Sequence, residues 1–437
     1  MRQAWSLLLA FTGACASAGA RTAQQPASPV AAPPPSPAVQ AAESTSVNRP
    51  QYPSTYQRHP NPPVLIRNAT IMTATGQEIP NGAILFKDGR IVAVGGGAKV
   101  VAPADAVVVD GTGRYVTPGL IDDHSHLGVY AAPATDAESD GNEATNPVTA
   151  EVWAEHSFWP QDPFPGAHYG LKMACGENPK RVYGKKGGPS TRMGNMAGYR
   201  AAFIQAEAYR RRWDIWNKDH KGDPPERNLR LESLVEVLRG NMYVQNHCYR
   251  ADEMAQMLDL AREFGFKIRS FHHAVESYKI ADLIAKAGTS VSVWADWWGF
   301  KEEAMDGIQQ NAALNQQAGG RPVIHSDDPS GIQRLNQEAA KAMYAGQRSG
   351  IPVTRDQAIR WVTANPAWTL GLDSIVGTLE PGKMAEVVVW SGDPFSVYSK
   401  PVRVYNDGWL VYDRNDPAHQ PRTDFEIGQV PAPGSDR

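Results

Sequence analysis

The sequence has little cysteine, no marked excess of charge of either sign and no long apolar run. Its 437 residues include three cysteines, and 43 basic residues stand against 46 acidic ones for a net charge of -3. Such a balance gives no electrostatic basis for binding nucleic acid or an acidic membrane surface. We therefore expect a small-molecule substrate and no nucleic-acid partner.

The N-terminus predicts export. Residues 1–20 combine a basic start, a short apolar run and small residues in an A-x-A pattern, as in a signal peptide. The apolar run is too short to span a bilayer, so no membrane span is expected. Cys15 lies in a segment that resembles a lipoprotein cleavage box, although Thr12 departs from it. The protein is thus expected to be periplasmic or exported, with a lipid anchor at Cys15 as a variant.

Removal of the signal peptide leaves Cys175 and Cys248, which are too few for a disulfide framework. Residues 21–63 are rich in proline and alanine and predict a disordered linker, and residues 414–437 predict a flexible tail. Between them, apolar strand patterns occur at both ends of the folded chain. We expect residues 64–117 and 380–413 to form one composite β-sandwich, with an Asp88-Gly89 hairpin turn near its start.

The middle of the chain, residues 118–379, alternates strand and helix patterns. The run 241–247 predicts a strand, and the next segment has apolar residues at helical spacing. A strand at 267–273 and a helix that ends at Gly288 follow, and further units include a strand at 322–327. Repeated units of this kind predict a parallel sheet in the α/β class, most economically a (β/α)8 TIM-type barrel.

Metal-capable side chains occur where these strands end. His124 and His126 follow an apolar strand predicted from Val116, and they share one face of it because side chains alternate along a strand. The carboxyl ends of barrel strands meet on the face where barrel enzymes carry out chemistry. His247, His273 and Asp327 follow later strands. Each residue alone is also compatible with a structural role, but the set predicts a metal site.

The chain resembles the amidohydrolase superfamily, specifically its exported imidazolonepropionase-like and metal-dependent dipeptidase-like members. The resemblance spans residues 64–412, and it includes the PGLID run from Pro118, the His-x-His pair and the motifs that begin at His247, His273 and Ser326. It implies one or two divalent metal ions, with zinc expected, held by the residues named above. It also implies a bridging group on strand four, either a carboxylated Lys172 or Glu177, with Lys172 slightly favoured.

The expected chemistry is hydrolysis of a carbon-nitrogen bond in an amide, peptide or cyclic amide. A divalent metal lowers the pKa of a bound water to ~7 and polarises a carbonyl group. Asp327 would act as general base and then as general acid. Loop residues after the strands would bind substrate, although simple packing explains them about as well; they are Tyr249, Arg250, Trp297 and Trp298.

One stretch departs from the family pattern. His126 and Lys172 are 46 positions apart, whereas three strand-helix units of a barrel need ~90 residues. The sequence therefore predicts an incomplete barrel that lacks strands two and three. It leaves two alternatives to an active hydrolase: a truncated, inactive relative that still binds metal or ligand, and a metal-dependent deaminase.

Overall fold

The computed structural model describes residues 56–130, 137, 139–158, 164, 167–328 and 331–420. The predicted signal peptide, Cys15, most of the linker and residues 421–437 of the predicted tail lie outside this range. The end of the predicted linker contacts the folded chain. The Tyr56 hydroxyl donates to Asp407, and the side-chain amide of Asn61 donates to the carbonyl of Gly408.

The two ends of the folded chain form one eight-stranded sheet. Strand β5 (Tyr115–Pro118) pairs in parallel with β1 (Val64–Met72) and antiparallel with β11 (Val387–Trp390), so the early and late strands are joined directly. The order is β13-β12-β11-β5-β1-β2-β3, with β4 also paired to β1. A sandwich of two sheets stays a prediction. The strands are β1 Val64–Met72, β2 Glu78–Lys87, β3 Arg90–Gly96, β4 Val107–Asp110, β5 Tyr115–Pro118, β11 Val387–Trp390, β12 Pro401–Asn406 and β13 Trp409–Asp413.

The predicted hairpin turn is confirmed. Lys87 pairs with Arg90 across the turn, and Asp88 and Gly89 have φ angles of 51° and 72°. Two successive positive φ angles give a turn whose twist matches that of the strands, and aspartate followed by glycine adopts it readily. Apolar side chains from both chain ends fill the adjacent core, including Ile84 and Val389.

The middle of the chain contains a five-stranded parallel sheet of order β10-β9-β8-β7-β6. Its register brings the carboxyl ends of neighbouring strands together, because Ala174 pairs with His247 and His247 pairs with His272. The parallel arrangement predicted from the sequence is confirmed in these five strands, although the strand predicted at 322–327 ends three residues early, at Ile324. They are β6 Gly170–Ala174, β7 Tyr243–His247, β8 Ile268–His272, β9 Ser290–Val293 and β10 Arg321–Ile324.

Helices connect these strands and bury their apolar sides. Met254 and Met257 of the helix Ala251–Phe264 are fully buried, as their spacing predicts. The helix Ala281–Ala287 ends at Gly288, which has a φ of 69°. No helix in the described part of the chain is long and apolar enough to cross a membrane. The other helices are Glu177–Tyr183, Arg192–Asp219, Leu229–Arg239, Asn311–Gln317, Leu335–Arg348, Arg355–Arg360 and Ala364–Thr369.

The predicted strand that leads into His124 is wrong. The strand ends at Pro118 and belongs to the eight-stranded sheet. Beyond it, the Asp122 carboxylate accepts hydrogen bonds from the backbone N–H groups of His124 and Ser326, and the backbone N–H of Asp327 donates to the carbonyl of His124. Side-chain hydrogen bonds thus hold this segment beside the end of β10 in place of a ladder.

The segment between this point and β6 contains no strand among its described residues. One short 3-10 helix, Ala154–His156, is present. With five strands described in the parallel sheet, a closed (β/α)8 barrel and the loss of strands two and three both stay predictions.

Cys175 and Cys248 form a disulfide with a Cα–Cα distance of 5.3 Å. The two cysteines are too few for a disulfide framework, but they form this one bond. Each cysteine directly follows one of two paired parallel strands, and the backbone N–H of Cys175 donates to the carbonyl of His247. Register, which the sequence does not specify, places the two sulfur atoms together.

Candidate active site

The predicted metal ligands converge at the carboxyl ends of the parallel strands. His126 Nε2 lies 2.8 Å and His124 Nε2 lies 3.2 Å from Oδ1 of Asp327. One ligand atom from each of these three residues lies within 4.8 Å of the other two. Imidazole nitrogen and carboxylate oxygen are the donors that divalent transition metals and zinc accept.

His247 and His273 lie beside this group of three and extend it to a cluster of five residues. Their ring centroids are 4.7 Å apart, and the ring of His273 is 4.4 Å from that of His124. His273 Nδ1 also lies 3.7 Å from Oδ2 of Asp327. Burial lowers the pKa of both His247 and His273 well below the ordinary value. They are therefore neutral at pH 7, which is the form of histidine that binds a metal.

Two members of the cluster have an unusual backbone. His273 and Asp327 adopt φ angles of 58° and 54°, in the left-handed region that side chains other than glycine rarely occupy. Such conformations cost energy and persist where the surrounding contacts enforce them, which is common at functional sites. Here they turn the chain sharply after β8 and β10.

A chain of hydrogen bonds assigns the tautomer of His124. Gln245 donates through Nε2 to the carbonyl of Thr369, so its Oε1 is the acceptor that faces Nε2 of His272 at 2.8 Å. Burial lowers the pKa of His272 well below the ordinary value, so this ring is neutral and its Nδ1 accepts from Nδ1 of His124 at 3.0 Å. The ring of His124 thus carries its proton on Nδ1.

With its Nδ1 proton directed to His272, His124 turns its other ring nitrogen, Nε2, toward the Asp327 carboxylate at 3.2 Å. An imidazole nitrogen and a carboxylate oxygen in this position would suit a divalent metal, and the neutral neighbouring histidines would suit it as well. The donor set therefore matches a metal site, and the hydrogen bonds that orient His124 are of the kind that tune metal ligands.

The two predicted bridging residues differ in their surroundings. Solvent reaches the side chain of Lys172, whose Nζ donates to Asn142 at 2.9 Å, yet neighbouring protein atoms displace enough water to lower its pKa. The negative charge of Asp327 opposes this shift and raises the pKa of Lys172, so the amine lies within electrostatic range of the cluster. Glu177 instead lies 3.4 Å from the ammonium of Lys301. Glu177 thus forms an ion pair with Lys301.

The predicted substrate-binding residues lie around the cluster at different depths. Tyr249 is buried, and its ring stacks 5.7 Å from that of His273. Arg250 forms an exposed ion pair with Asp252. Trp297 and Trp298 are 44% and 37% exposed on the loop after β9. Tyr249 therefore contacts the cluster directly, and Trp297 is linked to it through Trp294, whose ring lies 5.1 Å from that of Trp297.

Several known proteins are similar to this chain. The model of the amidohydrolase family matches residues 243–412. The crystal structure of an amidohydrolase from Thermotoga maritima MSB8 superposes with a TM-score of 0.72 at 33% identity, covering 80% of this chain and 100% of that one. The chain belongs to the amidohydrolase family.

Two curated relatives agree with this placement of the amidohydrolase. Amidohydrolase tasK of Hapsidospora irregularis is 31% identical across 80% of this chain and 43% of its own length. The chain thus spans less than half of that relative. The imidazolonepropionase of Sphingopyxis alaskensis is 23% identical across 75% of this chain and 91% of its own length. These matches support a relation to hydrolases that act on carbon-nitrogen bonds.

The amidohydrolase site includes residues that the sequence did not predict. Burial lowers the pKa of His325 to about 3, and its Nε2 lies 2.8 Å from Nδ1 of His273. The side-chain amide of Asn178 donates to Nε2 of His247 at 2.9 Å. The sequence signal for His272 is the His-His pair at the end of β8, and the signal for His325 is the His-Ser-Asp run after β10. Gln245 lies inside a strand and has no such signal.

Replacement of Gln245 by leucine is expected to weaken metal binding by this amidohydrolase about 10- to 100-fold. The change removes the acceptor of the His272 Nε2–H group. His272 then no longer holds the proton of His124 on Nδ1, so Nε2 of His124 is less well prepared to bind a metal. Competition with a chromogenic chelator measures the affinity. Gln310→Leu is the matched control, because Gln310 donates to Ser349 away from the cluster. Equal affinities in the two variants would contradict the assigned role.

Proposed function

We propose that the protein is a metal-dependent hydrolase of amide, peptide or cyclic amide bonds. The observation that carries this proposal is the convergence of His124, His126 and Asp327, with ligand atoms within 4.8 Å of one another at the ends of a parallel sheet. Membership in the amidohydrolase family supports it.

Five residues would hold the metal, with zinc as the expected ion, bound once or twice. They are His124, His126, His247, His273 and Asp327. Lys172 is the preferred bridge, since a lowered pKa increases the neutral amine that forms a carbamate. Glu177 is disfavoured because the ion pair with Lys301 already uses its charge.

When bound, the metal supplies Lewis acidity, which activates water and polarises the substrate carbonyl. Asp327 moves the proton. Burial raises the pKa of its carboxyl group, but hydrogen bonds from His124 and His126 outweigh this and hold the pKa below the ordinary range. The carboxylate is thus ionised at neutral pH and accepts a proton from the attacking water. It then gives that proton to the leaving nitrogen as the carbon-nitrogen bond breaks and a carboxylate product forms.

Metal removal tests the proposal. Treatment of the purified protein with dipicolinate is expected to abolish hydrolysis across a panel of dipeptides, N-acyl amino acids and cyclic amides, and added zinc is expected to restore it. Metal content and amine release are measured together. Bound zinc without turnover of any member would instead indicate an inactive relative. Ammonia release from a ring without a second cleaved product would indicate a deaminase.

A further inference from the structure

The loop after β9 forms an aromatic wall beside the histidine cluster. The ring of Trp294 is buried, 4.8 Å from that of His273 and 4.9 Å from that of His325. Further out, Trp297 and Phe300 lie 5.1 and 5.6 Å from Trp294 and are 44% and 48% exposed. The wall therefore runs from the metal ligands to solvent. An apolar group of a ligand would find a matching surface there.

Lys301 follows this wall directly and places a positive charge beside it. Its Nζ lies 3.8 Å from the ring centroid of Tyr249 and 3.1 Å from the side-chain oxygen of Asn178. The ring of Tyr249 is in turn 4.9 Å from that of His247. The ammonium thus lies close to the metal ligands.

The ammonium keeps capacity for a further acceptor. Its ion pair with Glu177 spans 3.4 Å, longer than the about 2.8 Å of a charge-assisted hydrogen bond. A lysine has three donors; Asn178 uses one and the long ion pair with Glu177 uses a second, which leaves the third for an incoming anion. By contrast, the nearby guanidinium of Arg192 is shared between Glu253 and Glu303. Among these two cations, Lys301 is the one able to meet an incoming anion.

We propose that Lys301 binds the carboxylate of the substrate while the wall of Trp297 and Phe300 contacts an apolar side chain. The substrate class is then an N-acyl amino acid or dipeptide with a free carboxylate and an apolar side chain at that residue. A neutral cyclic amide lacks the group that Lys301 recognises. This inference rests on the proposed hydrolysis of carbon-nitrogen bonds.

The test compares two substrates that differ in one charge, N-acetyl-L-phenylalanine and its N-methylamide, with acetate release as the readout. Wild-type protein is expected to prefer the acid. Lys301→Gln is expected to raise KM for the acid about 10- to 100-fold, the range for one hydrogen bond to a charged group, with kcat little changed. The N-methylamide should be unaffected. Lys341→Gln is the matched control, since Lys341 pairs with Asp296 of the same loop.

Equal kcat/KM for the two substrates in the wild-type protein would overturn the inference, as would an equal loss for both in Lys301→Gln. If neither substrate is cleaved, the proposed function fails for this class, and binding decides about Lys301. Tryptophan fluorescence then follows titration with each compound. Tighter binding of the acid that disappears in Lys301→Gln supports the carboxylate site, and equal binding of both compounds overturns it.

Discussion

Asp327→Asn is expected to lower kcat/KM for hydrolysis by about 10²- to 10⁴-fold, the usual contribution of a positioned acid-base group. Asparagine retains an oxygen toward His124 and His126, but its amide does not accept the proton that the carboxylate takes. Metal content should therefore change much less than turnover. Rates of amine release and metal per chain, measured on the same preparations, separate the two effects.

Asp214→Asn provides the control for this change. Asp214 pairs with Arg239 on the outer side of the sheet's helices and is 54% exposed, so a surface ion pair of small energetic value is lost. Its kcat/KM should equal that of the wild-type protein. Turnover by Asp327→Asn at the wild-type rate would show that another group moves the proton. Loss of metal together with activity would show that metal binding is the main role of Asp327.

The strands of the parallel sheet could be predicted because their apolar runs are short and bounded by turns and helix patterns. The ligands that follow those strands could be predicted for the same reason, since parallel strands bring their carboxyl ends to one edge. His247 directly ends β7, and His273 directly follows β8. Local pattern and sheet direction thus suffice for the position of these residues.

The surroundings of the ligands could not be predicted in this way. The hydrogen bond between Gln245 and His272 joins neighbouring strands, and its existence depends on their register. The segment after Pro118 has the apolar pattern of a strand, but the Asp122 side chain takes over hydrogen bonds that a ladder would make. Both features depend on contacts between distant parts of the chain, and the periodicity of the sequence gives no information about such contacts.

The disulfide between Cys175 and Cys248 is also a contact between distant parts of the chain, and we expect it to have a large effect on stability. Cys175 and Cys248 are 73 residues apart, and closing a loop of this length removes chain entropy from the unfolded state. Reduction is therefore expected to lower the free energy of unfolding by about 4 kcal/mol. Urea unfolding of the oxidised protein and of protein reduced with a phosphine, at equal zinc concentration, measures the difference.

We expect the loss of the disulfide to loosen strand β6 in particular. Strand β6, which carries Lys172, pairs only with β7 among the described strands, so the bond after its last residue is a main restraint on its position. A double variant, Cys175→Ala with Cys248→Ala, should unfold like the reduced wild-type protein and should not respond to reductant. Equal unfolding midpoints for the oxidised and reduced wild-type protein would mean that strand pairing alone holds β6 in place.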